Sequence, residues 1–91
     1  MTKTTPTPIP DFAIAVLECG FVYVGHMSLA DGFLTITKAR SIRKWGTTKG
    51  LGQLALSGPT TSTVMDECGD VFVPILKLVH LMEVSHEAWT P

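Results

Sequence analysis

Short apolar runs rich in β-branched and aromatic residues, separated by glycine-containing turns, make up the first half of the chain. Such runs predict strands, and three of them lie at residues 12–17 (FAIAVL), 21–27 (FVYVGHM) and 33–37 (FLTIT). The dipeptide Asp31-Gly32 between the last two is a strong signal for a two-residue hairpin loop. Gly25 interrupts the second run and predicts a bulge or a sharp bend there.

In the segment that follows, the alternation of apolar and charged side chains does not suit one flat strand. Across residues 34–45, Ile42 would share a face with Arg40 and Lys44, so a core side chain would sit between two cations. A bend near Ala39-Arg40 would relieve this conflict. The pattern therefore predicts two short strands, or one bent strand, over this segment.

The second half of the chain predicts a short helix and then further short strands. Leu51, Leu54 and Ala55 have helical spacing, and Gly58-Pro59 would end the helix. After the helix we expect a strand at 61–65, an acidic turn at 66–70 and a strand at 71–73. A short turn at 74–77 and a strand at 78–84 follow. Ser85 begins one helical turn, and Trp89 is expected to pack on the body. A helix over residues 75–84 is the alternative to the last strand, because its apolar residues also fit helical spacing tolerably.

Many short strands at close spacing, with one short helix, are typical of a small, mainly β fold. We expect a small barrel of five to seven strands in a single domain over residues 11–85, followed by a tail at 86–91. Alternating prolines exclude a helix in residues 1–10, MTKTTPTPIP, and predict a flexible arm. An arm lying across a neighbouring subunit is the alternative.

The chain carries little charge for its size. Only 16% of the 91 residues are charged, 45% are hydrophobic, and the mean hydropathy is +0.30. A domain this small has a thin core, so we expect a homo-oligomer in which copies share apolar surface. The longest apolar window, Phe12 to Val24, contains Glu18 and is too short to span a bilayer, so no membrane partner is expected.

The cysteines, Cys19 and Cys68, form no CxxC pair and have no metal-ligand spacing. They predict two reduced thiols in a cytoplasmic protein, with a disulfide as the alternative. No signal peptide is evident in the polar, proline-rich first residues. Neither thiol has an evident base partner, and the serines and histidines show no catalytic arrangement. We therefore expect no enzyme activity, no cofactor and no metal.

Positive charge is concentrated in one segment. Five of the seven basic residues lie in it, and no acidic residue falls between Asp31 and Asp66, although the whole chain has a net charge of −1. The five are Lys38, Arg40, Arg43, Lys44 and Lys49. This concentration predicts a site for an anionic ligand.

Seven residues of this segment are candidates for ligand binding. Guanidinium groups suit phosphate, an indole can stack on a base, and a glycine-bounded loop offers backbone N–H and hydroxyl donors. The order of a P-loop is absent. A buried Trp45 with a solvated charged face, and a flexible surface loop, are the alternatives to a site. The candidates are Arg40, Arg43, Lys44, Trp45, Thr47, Thr48 and Lys49.

Two motifs give the sequence a resemblance to a family. Ala-Arg-x-Ile-x-x-Trp at residues 39–45 and Leu-x-x-Leu-Ala-x-x-Gly at 51–58, followed by VFVP and VHLMEV, resemble small proteins of unknown function found on bacteriophages and prophages. The resemblance covers roughly residues 20–88 and implies a viral protein that binds and blocks something in the host. The strand rhythm, with a short turn before the last strand, also resembles SH3-like and Sm-like small barrels; Sm-like proteins form rings that bind RNA.

These observations predict a phage-encoded, non-catalytic binding protein of the host cytoplasm. Its expected ligand is an anionic small molecule, such as a nucleotide second messenger of host defence, which it would sequester as a counter-defence sponge. The alternatives are an inhibitor of an acidic host protein, a binder of single-stranded nucleic acid, and a phage structural or assembly protein. The net charge of −1 argues against strong nonspecific binding of nucleic acid.

Overall fold

The computed structural model describes residues 9–18 and 20–89, so most of the predicted N-terminal arm, Cys19 and the last two residues lie outside the described part. The elements are strands β1 (Phe12–Leu17), β2 (Val22–Ala30), β3 (Phe33–Lys44), helix α1 (Leu51–Ser57), strand β4 (Val64–Pro74), a 3-10 turn (Ile75–Lys77), strand β5 (Leu78–Glu83) and helix α2 (His86–Trp89). The prediction of a short turn followed by a strand near the C-terminus is thereby confirmed.

The strands within these residues form one antiparallel sheet in the order β4-β3-β2-β1-β5. The first four strands follow one another as a meander. The last strand then returns to pair with β1, for example Ile14 with Met82. This confirms the predicted mainly β fold with a short helix, and it makes β1 a central strand with neighbours on both sides.

The hairpin between β2 and β3 has the predicted two-residue loop. Ala30 pairs with Phe33, and the two residues between them have positive φ, 53° at Asp31 and 80° at Gly32. Positive φ at both loop positions is the type I′ geometry, whose twist matches that of the flanking strands. Aspartate tolerates this conformation better than most residues, and glycine adopts it without penalty.

Strand β3 is bent at Lys38. This residue has a φ of 54°, and the pairing register shifts here against both neighbouring strands. Opposite the bend lies Gly25, where an added Cβ would meet Cγ2 of Ile36 at 2.7 Å and the carbonyl oxygen of Thr37 at 3.0 Å. The sharp bend therefore needs a glycine in β2, which confirms the predictions for both positions.

The bent sheet buries apolar side chains in two clusters. Strand β1 contributes to both because successive side chains point to opposite faces: Ala13 and Ala15 lie in the first cluster and Ile14 in the second. The first cluster also contains Leu17, Met27, Leu34, Ile36, Ala39 and Val73. The second contains Val22, Val24, Ile42, Leu54, Ala55, Val84 and Trp89, so the two short helices cover it.

One sequence prediction about β4 is wrong. Residues 66–70 were expected to form an acidic turn between two strands, but they lie inside a continuous strand. Ser41 pairs with Asp66 and Arg40 with Glu67, so the acidic segment is held against the basic part of β3. A register shift with Gly69 at a φ of 76° absorbs the extra residue, and this bulge explains why the segment looks like a turn in the sequence.

The C-terminal helix is fastened to α1. The indole Nε1–H of Trp89 donates a hydrogen bond to the carbonyl oxygen of Leu54 at 3.1 Å. The backbone N–H of Ser85 donates to the carbonyl oxygen of Ala55 at 2.9 Å. Trp89 is 8% exposed. The prediction that this tryptophan packs back on the body is confirmed.

Gly25→Ala is expected to destabilise the protein by about 1–3 kcal/mol, because the added methyl group meets Ile36 and backbone atoms in a packed bend. Urea denaturation followed by circular dichroism measures this loss. Gly52→Ala in α1 is the matched control, since its methyl group would meet only Cε of Met82 at 3.9 Å. Better helix propensity should raise its stability by about 0.5 kcal/mol. Equal stability of the two variants would contradict this account of the bend.

Candidate functional site

Strand β3 carries the first of the candidate residues, and the fold separates them. Arg40 and Ile42 point to the side of the sheet that the helices cover, and Ile42 is buried in the second cluster. The guanidinium carbon of Arg40 lies 6.0 Å from the centroid of the Trp89 ring. Arg40 therefore stacks on the edge of the core, where its planar group serves a structural contact.

Arg43 is engaged by a carboxylate of the neighbouring strand. Its Nε lies 2.5 Å from Oδ2 of Asp66, and its Nη2 lies 3.4 Å from Oδ1. Both side chains are more than half exposed, so this ion pair contributes at most about 1 kcal/mol to stability. Its larger effect is electrostatic, because it offsets one of the five charges concentrated in the sequence.

Trp45 follows β3 and lies at the surface, which excludes the alternative of a core tryptophan. Its side chain is 41% exposed. A methyl group placed on Gly50 would lie 3.9 Å from Cζ3 of the indole, so the ring lies against this glycine. The loop between the two residues thus curls back under the indole and leaves part of the ring accessible to solvent.

The loop itself is organised by side-chain hydrogen bonds. The hydroxyl of Thr47 donates to the carbonyl oxygen of Gly50 at 2.7 Å. The side-chain oxygen of Gln53 accepts from the backbone N–H of Lys49 at 2.8 Å and from the hydroxyl of Thr48 at 3.1 Å. Both threonine hydroxyls, predicted as ligand donors, are therefore used to shape the loop.

A second group of threonines holds the start of the loop by hydrogen bonds, and the sequence analysis did not predict it. The hydroxyl of Thr63 donates to the carbonyl oxygen of Trp45, and that of Thr60 donates to the carbonyl oxygen of Gly46, both at 2.7 Å. An added Cβ on Gly46 would collide with the backbone of Ser62 and Thr63. The signal in the sequence is the hydroxyl-rich run TTST after Pro59, which fits a turn that bonds backbone groups.

Lys44 and Lys49 flank Trp45 in the chain, and both are exposed. Neither forms an ion pair with any carboxylate in the described part of the chain. Of the predicted site, the fold therefore leaves an accessible indole and two ammonium groups that are unpaired within the described residues. We call Lys44, Trp45 and Lys49 the loop patch.

The fold also forms a groove of about 430 Å³ at a different place. It lies between the turn after β1 and the second half of β4, and its lining is mainly apolar. Glu18 and Lys77 also line it, and Nζ of Lys77 lies 3.8 Å from Oε1 of Glu18 in an ion pair. None of the seven candidate residues lines this groove.

Two comparisons with known proteins, one with family models and one with curated proteins, found no match. Within residues 9–18 and 20–89, no three side chains of the metal-binding types come together, and no helix has the length and hydropathy to cross a membrane. The geometry of the loop patch therefore carries the functional argument.

Thr63→Val should destabilise the protein by about 1–2 kcal/mol, because valine has the same shape but cannot bond the carbonyl oxygen of Trp45 or the N–H of Thr60. Thr61→Val is the matched control, since this exposed neighbour makes no side-chain hydrogen bond within the described residues. Urea denaturation of both variants checks the expectation. Equal losses would show that the hydroxyl of Thr63 does not hold the loop.

Proposed function

We propose that this protein binds an anionic small molecule with an aromatic ring, such as a nucleotide, at the loop patch and does not transform it. The observation that carries the proposal is the exposed indole of Trp45 against Gly50, in a segment whose two exposed lysines, Lys44 and Lys49, pair with no carboxylate among the described residues. An accessible indole stacks on a planar base. Ammonium groups attract the phosphate charge.

The support from the loop is its fixed shape. The bonds to Gln53, Gly50, Thr60 and Thr63 hold the loop before any ligand arrives. A preformed site spends less ordering entropy on binding than a mobile one does. Of the seven candidates, Lys44, Trp45 and Lys49 contact the ligand in this proposal, and the two threonines support the loop from within.

Arg40 and Arg43 take a smaller part in the proposal than the sequence predicted. Arg40 is stacked on Trp89, and Arg43 is bonded to Asp66. Arg43 can bind a ligand only if its guanidinium leaves the carboxylate of Asp66. Because that ion pair is then lost, Arg43 contributes less to the binding free energy than an unpaired guanidinium would.

The proposed setting is a cell infected by a phage, where the protein would remove a nucleotide signal of host defence from the cytoplasm. The two motifs that resemble phage proteins support this setting: the first, at 39–45, includes Lys44 and Trp45, and the second, at 51–58, begins just after Lys49. Single-stranded nucleic acid is the competing ligand, because an aromatic ring with nearby cations also suits a base and its phosphate. The acidic residues of β4 lie beside β3 and oppose a long polyanion.

A panel of cyclic and ADP-ribose-type nucleotides should contain at least one compound that raises the melting temperature by several degrees. Trp45→Leu and Lys49→Ala should each weaken binding of that compound about tenfold in isothermal calorimetry, because they remove stacking and charge. Lys38→Ala is the matched control, since this exposed lysine lies at the bend of β3 outside the loop patch. Its affinity should be unchanged.

Two results would remove the proposal. One is a panel with no stabilising compound, and the other is equal weakening by all three variants. Affinity for an oligonucleotide that falls steeply between low and moderate salt would favour nucleic acid instead.

Asp66→Asn should increase affinity for the same anion about two- to fivefold. The substitution removes a negative charge within a Debye length of the loop patch and releases the guanidinium of Arg43. Stability should change by no more than about 1 kcal/mol because the ion pair is exposed. Glu83→Gln, which removes a carboxylate from β5, is the control for a general change of net charge. Calorimetry that shows the same gain for both variants would contradict a local effect.

A further inference from the structure

Strand β4 forms one edge of the sheet. It is 11 residues long and pairs with β3 on one side, while its other side has no strand partner within the described residues. An open edge exposes backbone N–H and C=O groups that can pair with another strand. Proteins usually protect such edges with charged residues, bulges or a short strand.

Charge and a bulge protect only the first half of this edge. Asp66, Glu67 and Asp70 place carboxylates along it, and the bulge at Gly69 interrupts its pairing. The second half, Val71–Pro74, carries no charge, and its Phe72 is 65% exposed. Pro74 has no N–H donor and ends this half. The strand is therefore protected at both ends and open to pairing in the short stretch around Phe72.

Apolar surface surrounds the unprotected half. Phe33, which pairs with Pro74, is 47% exposed, and Leu76 in the following turn is 84% exposed. The groove described above runs beside this half of β4, and Val71 and Val73 form part of its wall. An edge and a patch that are apolar together are typical of an interface rather than of a free surface.

We propose that a second copy of this chain covers this surface by pairing its own β4 antiparallel to the first, about a two-fold axis at Phe72. The two five-stranded sheets then form one continuous sheet, joined through the two β4 strands. In this register the backbone of the second copy's β4 runs along the open edge beside the groove, and the two Phe72 rings are cross-strand neighbours on the exposed face of the joined sheet.

The charge pattern of β4 selects a second copy and this register. An axis at Phe72 places Asp70 opposite Pro74, so no carboxylate faces another. An axis within the acidic half would instead set carboxylates of the two copies against each other. The chosen register also directs Glu67 of each strand towards the turn that holds Lys77 in the other copy, so this exposed lysine, which is 3.8 Å from Glu18, would face a second carboxylate.

The opposite edge of the sheet fits this role less well. Strand β5 has six residues and carries His80 and Glu83, both exposed. Short length and charge are the features that protect an edge from pairing. A two-fold contact needs only one surface and closes at a dimer, whereas pairing of β4 with β5 would continue into a ring or a filament.

Sedimentation velocity between about 1 and 100 µM should show a dimer. Phe72→Asp should raise the dimer Kd at least about tenfold, because two carboxylates would meet at the axis. Leu56→Asp is the matched control, since Leu56 is an exposed leucine on α1, 73% exposed, and it should leave the dimer intact. Val79→Asp in β5 should also leave it intact. Far-ultraviolet circular dichroism checks that each variant is folded.

A monomer over the whole range overturns the proposal. So does an assembly that Val79→Asp disrupts and Phe72→Asp does not, because that result assigns the interface to β5.

Cross-linking tests the axis directly. In a chain with both native cysteines replaced by serine, Phe72→Cys should form a disulfide between two copies on mild oxidation, since residues opposite each other in an antiparallel pair have Cα atoms about 4.5–5.5 Å apart. Leu56→Cys should not cross-link under the same conditions. Equal cross-linking of the two variants, or none at position 72, overturns the pairing about Phe72.

Discussion

The bend in β3 is the constraint on which the rest of the structure depends. A flat five-stranded sheet of this size would bury one face well and leave the other to solvent. Because β3 turns sharply at Lys38 and Gly25 lets it approach β2 there, the sheet curves around one apolar cluster and presents its other face to the two helices. The alternating side chains of β1 can then be buried on both sides.

Antiparallel pairing also decides how the charges are distributed. In the sequence, the basic segment and the acidic residues that follow it are separate, and the basic segment contains five positive charges and no negative one. Folding sets β4 beside β3, pairs Arg43 with Asp66, and places the backbone of Glu67 opposite that of Arg40, whose guanidinium lies over Trp89. What remains for a ligand is the part of the segment that lies beyond the paired strands, around Trp45.

Local features of the sequence predicted most of the fold. Three of these features depend only on the backbone conformation of a few adjacent residues: the Asp31-Gly32 loop, Gly25 and the turn before β5. The candidate site was harder to predict. Which side chains meet there depends on the register between β3 and β4, and a bulge at Gly69 sets part of that register while resembling a turn. The support from Thr63 likewise depends on a contact between distant segments.

The return of β5 to β1 has a consequence for how the chain reaches this structure. Ile14 pairs with Met82, which lies far later in the sequence, so β1 has no second neighbour until β5 has also been synthesised. Contacts between distant segments slow folding, because loop closure precedes the gain from pairing. A translation intermediate that ends before β5 would expose one side of β1 and would be a natural target for chaperones or proteases.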